Sequence, residues 1–214
     1  MLREVAMEEI SDGRRYTAND MAKIGCNGCI GCSECCRGMS DSIVLDPYDV
    51  HRLTGFLNQS FENLIGNGIA LQVVDGLVLP VIDMNNDRQQ CVFLNEQGRC
   101  SVHPVRPGIC RLFPLGRIYE EEGFTYFLQT DQCPAKNKTK VKIKKWLEEP
   151  DIVVYEQMVL MWHHFLVEKR QEAQALTGAE EIKELSMKIL SEFYVKGYGA
   201  DDFAMQLRER MQRF

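Results

Sequence analysis

The sequence predicts an α+β fold, in which an irregular, hairpin-rich core that contains the cysteines is followed by a helical C-terminal section. All nine cysteines lie between positions 26 and 133, among short apolar runs that are separated by glycine-containing turns. Residues 134 to 214 contain no cysteine and place apolar residues at helical spacing. We therefore expect one region at 1–135 and a second, helical region at 136–214 that packs on it.

The first region is predicted to contain short elements. Asp46 and Pro47 are typical of an N-cap and a first helical residue, which predicts a helix from 47 to about 56. Asp75 and Gly76 lie between two apolar runs in LQVVDGLVLPVI and form the dipeptide that a tight hairpin turn favours. A hairpin is therefore expected there.

Two further hairpins are predicted around glycines. Gly98 lies in CVFLNEQGRCSV, and Gly123 lies between RLFPLGRIY and FTYFLQT. Cys91 and Cys100 would flank the first of these turns. Such a hairpin would return two distant thiols toward the cysteines near the N-terminus.

The second region is predicted to be helical. Asp151 can cap a helix over 152–167, where twelve positions are apolar. A helix that is apolar on nearly every side is expected to be buried, against the first region or against a partner. Further helices are predicted from about 179 to 196 and after Asp201.

The overall composition argues against several classes of protein. The net charge of −6 disfavours general nucleic-acid binding, which requires a basic surface. No run of residues is apolar and long enough to span a bilayer. The first ten residues, MLREVAMEEI, lack the apolar stretch of a secretory signal, so we expect a cytoplasmic location in which the cysteines stay reduced.

Five cysteines lie within the eleven residues CNGCIGCSECC, at positions 26 to 36. Cysteines so close in sequence rarely reach the geometry of a disulfide, whereas thiolates three positions apart on a tight turn can converge on one metal ion or cluster. With nine cysteines and four histidines, the supply of ligands is almost wholly sulfur, which favours soft metals or iron–sulfur clusters. The candidate metal ligands are Cys26, Cys29, Cys32, Cys35, Cys36, Cys91, Cys100, Cys110 and Cys133.

Two patterns of four cysteines overlap in this stretch. The C-x2-C-x2-C-x3-C spacing of bacterial ferredoxins is matched by Cys26, Cys29, Cys32 and Cys36. The C-x2-C-x2-C-C spacing is matched by Cys29, Cys32, Cys35 and Cys36. The proline that follows the fourth cysteine in ferredoxins is replaced here by Arg37. Adjacent cysteines point in different directions in most backbone conformations, so Cys35 and Cys36 can serve different metal atoms or centres.

Basic residues are distributed unevenly. Residues 1 to 133 hold ten Arg and one Lys, whereas residues 134 to 214 hold ten Lys and four Arg. Arg37, Arg106 and Arg111 each lie near a cysteine and are candidate counter-charges for a thiolate–metal centre, although compositional accident explains them equally well. The lysines that alternate through KNKTKVKIKKW could meet an acidic partner or a phosphate, and a solvated strand face or a linker is the simpler interpretation.

Four ordered segments carry a resemblance to a known family. GCSECCRG, IVLDPYDVHRL, CVFLNEQGRCSVHPVRPGICRLFPLG and CPAK resemble the YkgJ-type cysteine-cluster (CxxCxxCC) family of zinc- or iron-chelating domains, over roughly residues 26 to 135. The resemblance implies that Cys26 is an addition to eight ligands, which are Cys29, Cys32, Cys35, Cys36, Cys91, Cys100, Cys110 and Cys133. The family is similar in part to flagellin lysine methylases, for which an iron–sulfur cluster is implied.

The sequence thus predicts a cytoplasmic metal-binding protein that carries an iron–sulfur cluster, with 4Fe–4S favoured over zinc. The resemblance implies a redox or group-transfer role, as in an iron–sulfur oxidoreductase or a methyltransferase-related protein. Two alternatives remain open: a structural zinc module that binds a partner, and a protein that delivers or senses a metal. An unknown protein partner or substrate is expected, with no nucleic acid and no membrane involved.

Overall fold

The computed structural model describes residues 7–26, 32–39, 42–84, 89–200 and 202–214. The α-helices are α1 (Met7–Ile10), α2 (Pro47–Leu57), α3 (Phe61–Leu64), α4 (Gly108–Leu112), α5 (Ile143–Leu147), α6 (Ile152–Ala175), α7 (Ala179–Leu190) and α8 (Phe203–Arg213). Short turns of 3-10 or π helix lie at Glu34–Cys36, His103–Val105 and Ser191–Val195. The strands are β1 (Met21–Gly25), β2 (Ile69–Val74), β3 (Leu77–Ile82), β4 (Leu115–Glu120), β5 (Gly123–Leu128) and β6 (Thr139–Lys142). The α+β class with a helical C-terminal part is therefore confirmed.

The described strands form three antiparallel pairs, β1 with β6, β2 with β3, and β4 with β5. The β2–β3 and β4–β5 hairpins are those predicted around Gly76 and Gly123. At the first turn, Asp75 has φ of 49° and Gly76 has φ of 88°, the left-handed conformation that a two-residue hairpin turn requires. The β1–β6 pair joins distant parts of the chain, and local pattern does not predict it.

The predicted start of α2 is confirmed, and its N-terminus forms a reciprocal cap. The Asp46 side chain accepts from the Asp49 N–H at 2.8 Å, and the Asp49 carboxylate accepts from the Asp46 N–H at 3.3 Å. These bonds satisfy two backbone donors that the first turn leaves without intrahelical partners.

The segment between Cys91 and Cys100 differs from the predicted regular hairpin. It turns at Gly98, and Leu94 and Cys100 form one isolated bridge. The Cys91 N–H donates instead to the Cys36 carbonyl at 2.8 Å. The start of this segment is therefore bonded to the first cysteine stretch rather than to its own return strand.

The main core packs the C-terminal helices on the β2–β3 hairpin and on α2. Trp162 and Phe165 of α6 stack on each other, and both pack at steep angles against Phe193, whose side chain is fully buried. The Tyr194 hydroxyl donates to the Leu45 carbonyl at 3.0 Å, which links the π-helical turn to the segment before α2. Residues from both predicted regions thus share one core, while the proposed boundary near residue 135 stays a prediction.

The helix predicted at 152–167 continues to Ala175 and buries one side rather than all of its surface. Tyr155 and Trp162 are buried, whereas Val153 remains 58% exposed. None of the described helices is both long enough and apolar enough to cross a membrane.

A second core lies beneath the β1–β6 pair and contains Ile24, Leu112, Tyr126 and Ile143. A Cβ atom at Gly25 would collide with the side chains of β6, so the close approach of the two strands requires glycine there. Gly25 directly precedes Cys26, and Leu112 lies two residues after Cys110. This core therefore contains residues close in sequence to both of these cysteines.

Candidate metal centre

The structure brings together cysteines that are far apart in sequence, and we call this set the inner cysteine group. Its members are Cys35, Cys36, Cys91, Cys100 and Cys110. The thiols of Cys35 and Cys36 share a hydrogen bond, and Cys35, Cys91, Cys100 and Cys110 interact electrostatically with one another. The three later members also pack against the main core.

Backbone hydrogen bonds connect the first cysteine stretch to the segment at Cys91. Besides the bond between Cys91 and Cys36, the Gly38 N–H donates to the Gln89 carbonyl at 2.8 Å. The Arg37 guanidinium donates to the Gln90 side-chain carbonyl, also at 2.8 Å. Gly38 has φ of 63°, so a residue with a side chain would be strained there. These contacts hold Cys36 beside Cys91.

A tight loop positions Cys100. The Asn95 N–H donates to the Arg99 carbonyl at 2.9 Å, and the Arg99 N–H donates to the Asn95 side chain at 2.8 Å. Gly98, with φ of 70°, lies at the turn between them. The loop returns the chain within ten residues, so Cys91 and Cys100 lie on the same side of the main core.

Cys110 is positioned by the buried side chain of Asp49. The Gly108 N–H donates to the Asp49 carboxylate at 2.7 Å, at the start of the short helix α4 that carries Cys110. Burial raises the pKa of Asp49, whereas the Gly108 N–H and the Arg111 guanidinium favour its charged form. Asp49 thus links the N-terminus of α2 to the cysteine helix.

The remaining described cysteines line a pocket, and we call them the outer cysteine group: Cys26, Cys32 and Cys133. Phe113, Pro114 and Trp146 form apolar walls of this small pocket. Cys35 also lines it and therefore connects the two groups.

The environment of the inner cysteine group favours neutral thiols when no cation is present. Burial raises the pKa of Cys91 to about 11 and raises that of Cys110 well above its ordinary value. The hydrogen bond with Cys36, together with burial, raises the pKa of Cys35, and nearby Arg106 opposes this shift. Metal ligation requires thiolates, so a bound cation would have to displace these protons.

Within the ranges that the structure describes, no three Cys, His, Asp or Glu side chains already surround a single metal position. Cys29, which the sequence predicts as a ligand, lies outside the described residues. The other eight predicted ligands fall into the inner and outer groups. Their role as ligands stays a prediction.

The three candidate arginines have different surroundings. Arg106 acts on both Cys35 and Cys100, where its charge favours the thiolate form. Arg37 bonds to Ser33 and Gln90 at the protein surface. Arg106 is therefore the arginine that is placed as a counter-charge to the inner cysteine group.

Arg111 belongs instead to a buried ionic network. It pairs with Glu149, and each of these side chains is 2% exposed. Glu149 also accepts from Arg52 at 3.3 Å, and the Arg111 guanidinium lies 5.3 Å from the centre of the Tyr155 ring. Sequence reasoning missed Glu149, because nothing in the local pattern of LEEPD distinguishes it from a surface acid.

Replacing Arg111 with Met should lower the free energy of unfolding by about 3–5 kcal/mol, because it leaves Glu149 buried beside fewer cations. Chemical denaturation of the variant would measure this loss. The double variant Arg111→Met/Glu149→Gln should recover part of the stability, since it removes the uncompensated charge. Equal stabilities of the single and double variants would contradict the importance of the pair.

Free thiols from distant parts of the chain, partly buried and placed beside a cation, are typical of a metal-chelating protein. The chain belongs to the CxxCxxCC family, described as "Putative zinc- or iron-chelating domain", whose model matches residues 28–138, just over half of the chain. This match confirms the resemblance, and Cys26 lies outside it. Neither the curated proteins nor the solved structures provide a match to the chain.

Proposed function

We propose that the protein holds an iron–sulfur cluster, with 4Fe–4S favoured, and acts in redox or group-transfer chemistry in the reducing cytoplasm. The observation that carries this proposal is the inner cysteine group, in which Cys35, Cys91, Cys100 and Cys110 are neighbours. Iron–sulfur clusters are held by sets of four cysteine thiolates, and these four would provide such a set, without any histidine, once their sulfurs converge on a cluster.

The surroundings of the inner group fit a cluster. Partial burial against the main core limits the access of water, and both burial and nearby charge tune the reduction potential of a cluster. Arg106 is 16% exposed at its side chain and offsets the negative charge that thiolates bring. A bound cluster would supply one-electron transfer, while the chain's own residues would hold it and limit solvent access.

The pocket of the outer cysteine group supports a role beyond structural metal binding. Its apolar walls reach Cys35, so a small molecule or a partner's side chain could approach the inner group from this side. A structural zinc site has four protein ligands and needs no such approach. We therefore favour chemistry at the centre over a zinc module that only presents a surface.

Protein that is purified without oxygen from iron-replete cells should be brown, contain acid-labile sulfide together with iron, and lose visible absorbance on reduction with dithionite. Analysis of iron, zinc and sulfide in the same sample would measure this. Colourless protein with stoichiometric zinc and no sulfide would replace this proposal with the structural zinc module. A metal that exchanges readily with a chelator would favour the delivery or sensing role.

A further inference from the structure

A row of lysines occupies the outer face of the β1–β6 pair, and we call it the lysine face. The strand register sets Lys23 opposite Lys140 and Met21 opposite Lys142. Alternation along the strands directs these four residues to the same face. Lys144 and Lys145 follow on α5 and are exposed.

The lysine face is held on a rigid support. On the opposite face of the strands, Ala22 and Ile24 are buried in the second core, and Val141 packs against it. Ile143 and Leu147 anchor α5 to the same core. The backbone that carries these lysines is therefore fixed, and it has little freedom to move the positive charges apart.

The lysine face lacks the acidic partners that several other lysines have. Lys169, Lys183 and Lys196 each pair with a glutamate three or four residues away or next to them in sequence. Among the residues that the structure describes, no Asp or Glu forms an ion pair with Lys23 or Lys140.

The two acids that follow α5 are engaged elsewhere. Glu148 and Glu149, directly after α5, pair with Arg106 and Arg111. Like charges that lie opposite each other across two strands destabilise the pair, so the Lys23–Lys140 arrangement works against folding. The presence of this unfavourable lysine pair is explained if an external anionic group neutralises both lysines.

The lysine face lies beside the pocket of the outer cysteine group. β1 leads directly into Cys26, and the Lys138 ammonium donates to the Cys133 carbonyl at 2.7 Å. Trp146 of α5 lines the pocket and donates its indole N–H to the Phe113 carbonyl at 3.2 Å. A partner bound to the lysine face would therefore cover the mouth of the pocket.

We propose that the lysine face docks an acidic protein, which brings its own reacting group to the pocket beside the cysteines. If the protein holds a redox cluster, as proposed above, this partner is an electron carrier. The docking itself does not depend on that function. Met21, 53% exposed on the same face, supplies the apolar contact that a protein interface uses.

The test uses a flavodoxin, an acidic one-electron carrier, as the probe and the full-length, metal-loaded chain as the receptor. The double variant Lys23→Glu/Lys140→Glu keeps a like-charge pair across the strands, so it changes docking without changing that repulsion. We expect association at low salt to slow by about tenfold or more, with the difference shrinking as salt is raised. The matched control, Lys183→Glu/Lys188→Glu on α7, reverses the same number of charges and should bind like the wild type.

The single variant Lys23→Glu separates docking from folding. It places opposite charges across the strands, so the melting temperature should rise while flavodoxin binding weakens. Unchanged binding in this variant, equal weakening in the α7 control, or tighter binding of a short DNA duplex than of flavodoxin would overturn the proposal. A surface-binding sensor reports both the association rate and the affinity whichever metal is present, so a zinc-only protein would refute the cluster and leave the docking result standing.

Discussion

A fragment that ends at Pro150 is expected to be insoluble or aggregated, although it retains all nine cysteines. The residues after 150 contribute ten buried apolar side chains to the main core, including Trp162, Phe165 and Phe193. Burial of each large apolar side chain contributes about 1.5–3 kcal/mol, whereas a whole domain is stable by only about 5–15 kcal/mol. Their removal would also expose Leu77 and Leu79, which are fully buried in the β2–β3 hairpin.

Fractionation of cell extracts, followed by metal analysis of the soluble part, would measure this outcome. The control is the full-length chain with Val153→Ser, which changes α6 at an exposed position and should remain soluble. A soluble, metal-loaded fragment of residues 1–150 would show that the helical region is a separable unit, and would favour partner binding by α6.

The variant Cys110→Ser is expected to lose metal and thermal stability together. Serine is a poor ligand for soft metals, and metal binding is coupled to folding. Removing a group that only supports a metal ligand weakens metal affinity by about 10–100-fold. Loss of the ligand itself should therefore weaken the affinity at least as much. Metal content per chain and the melting temperature would be measured on protein that is prepared without oxygen.

Two comparisons isolate the role of Cys110. Cys26→Ser, in the outer group and outside the family match, should retain the metal of the inner group. After removal of metal, the difference in melting temperature between Cys110→Ser and the wild type should shrink to the cost of burying a hydroxyl in place of a thiol. Full metal content and an unchanged melting temperature in Cys110→Ser would place Cys110 outside the metal-bearing assembly.

Several elements could be predicted because their signals are local. The cap at Asp46 and Pro47 marks the start of α2, and the Asp75-Gly76 turn marks the β2–β3 hairpin. The cysteine spacing, with its nearly all-sulfur ligand supply, predicts metal binding, and the family match confirms that conclusion. In each case the interacting residues lie within a few positions of one another. The short sequence pattern therefore contains all the residues that cause the structure.

The sequence by itself determined the α+β class, the helical C-terminal part and the metal-chelating family, since periodicity, turn residues and cysteine spacing are properties of short segments. Only the tertiary structure decided which distant residues meet. It placed Cys91 beside Cys36, separated the inner from the outer cysteine group, and set Lys23 opposite Lys140. These pairings join residues 55 positions apart (Cys36 and Cys91) and 117 positions apart (Lys23 and Lys140), and no local pattern contains the packing energy that holds such distant residues together.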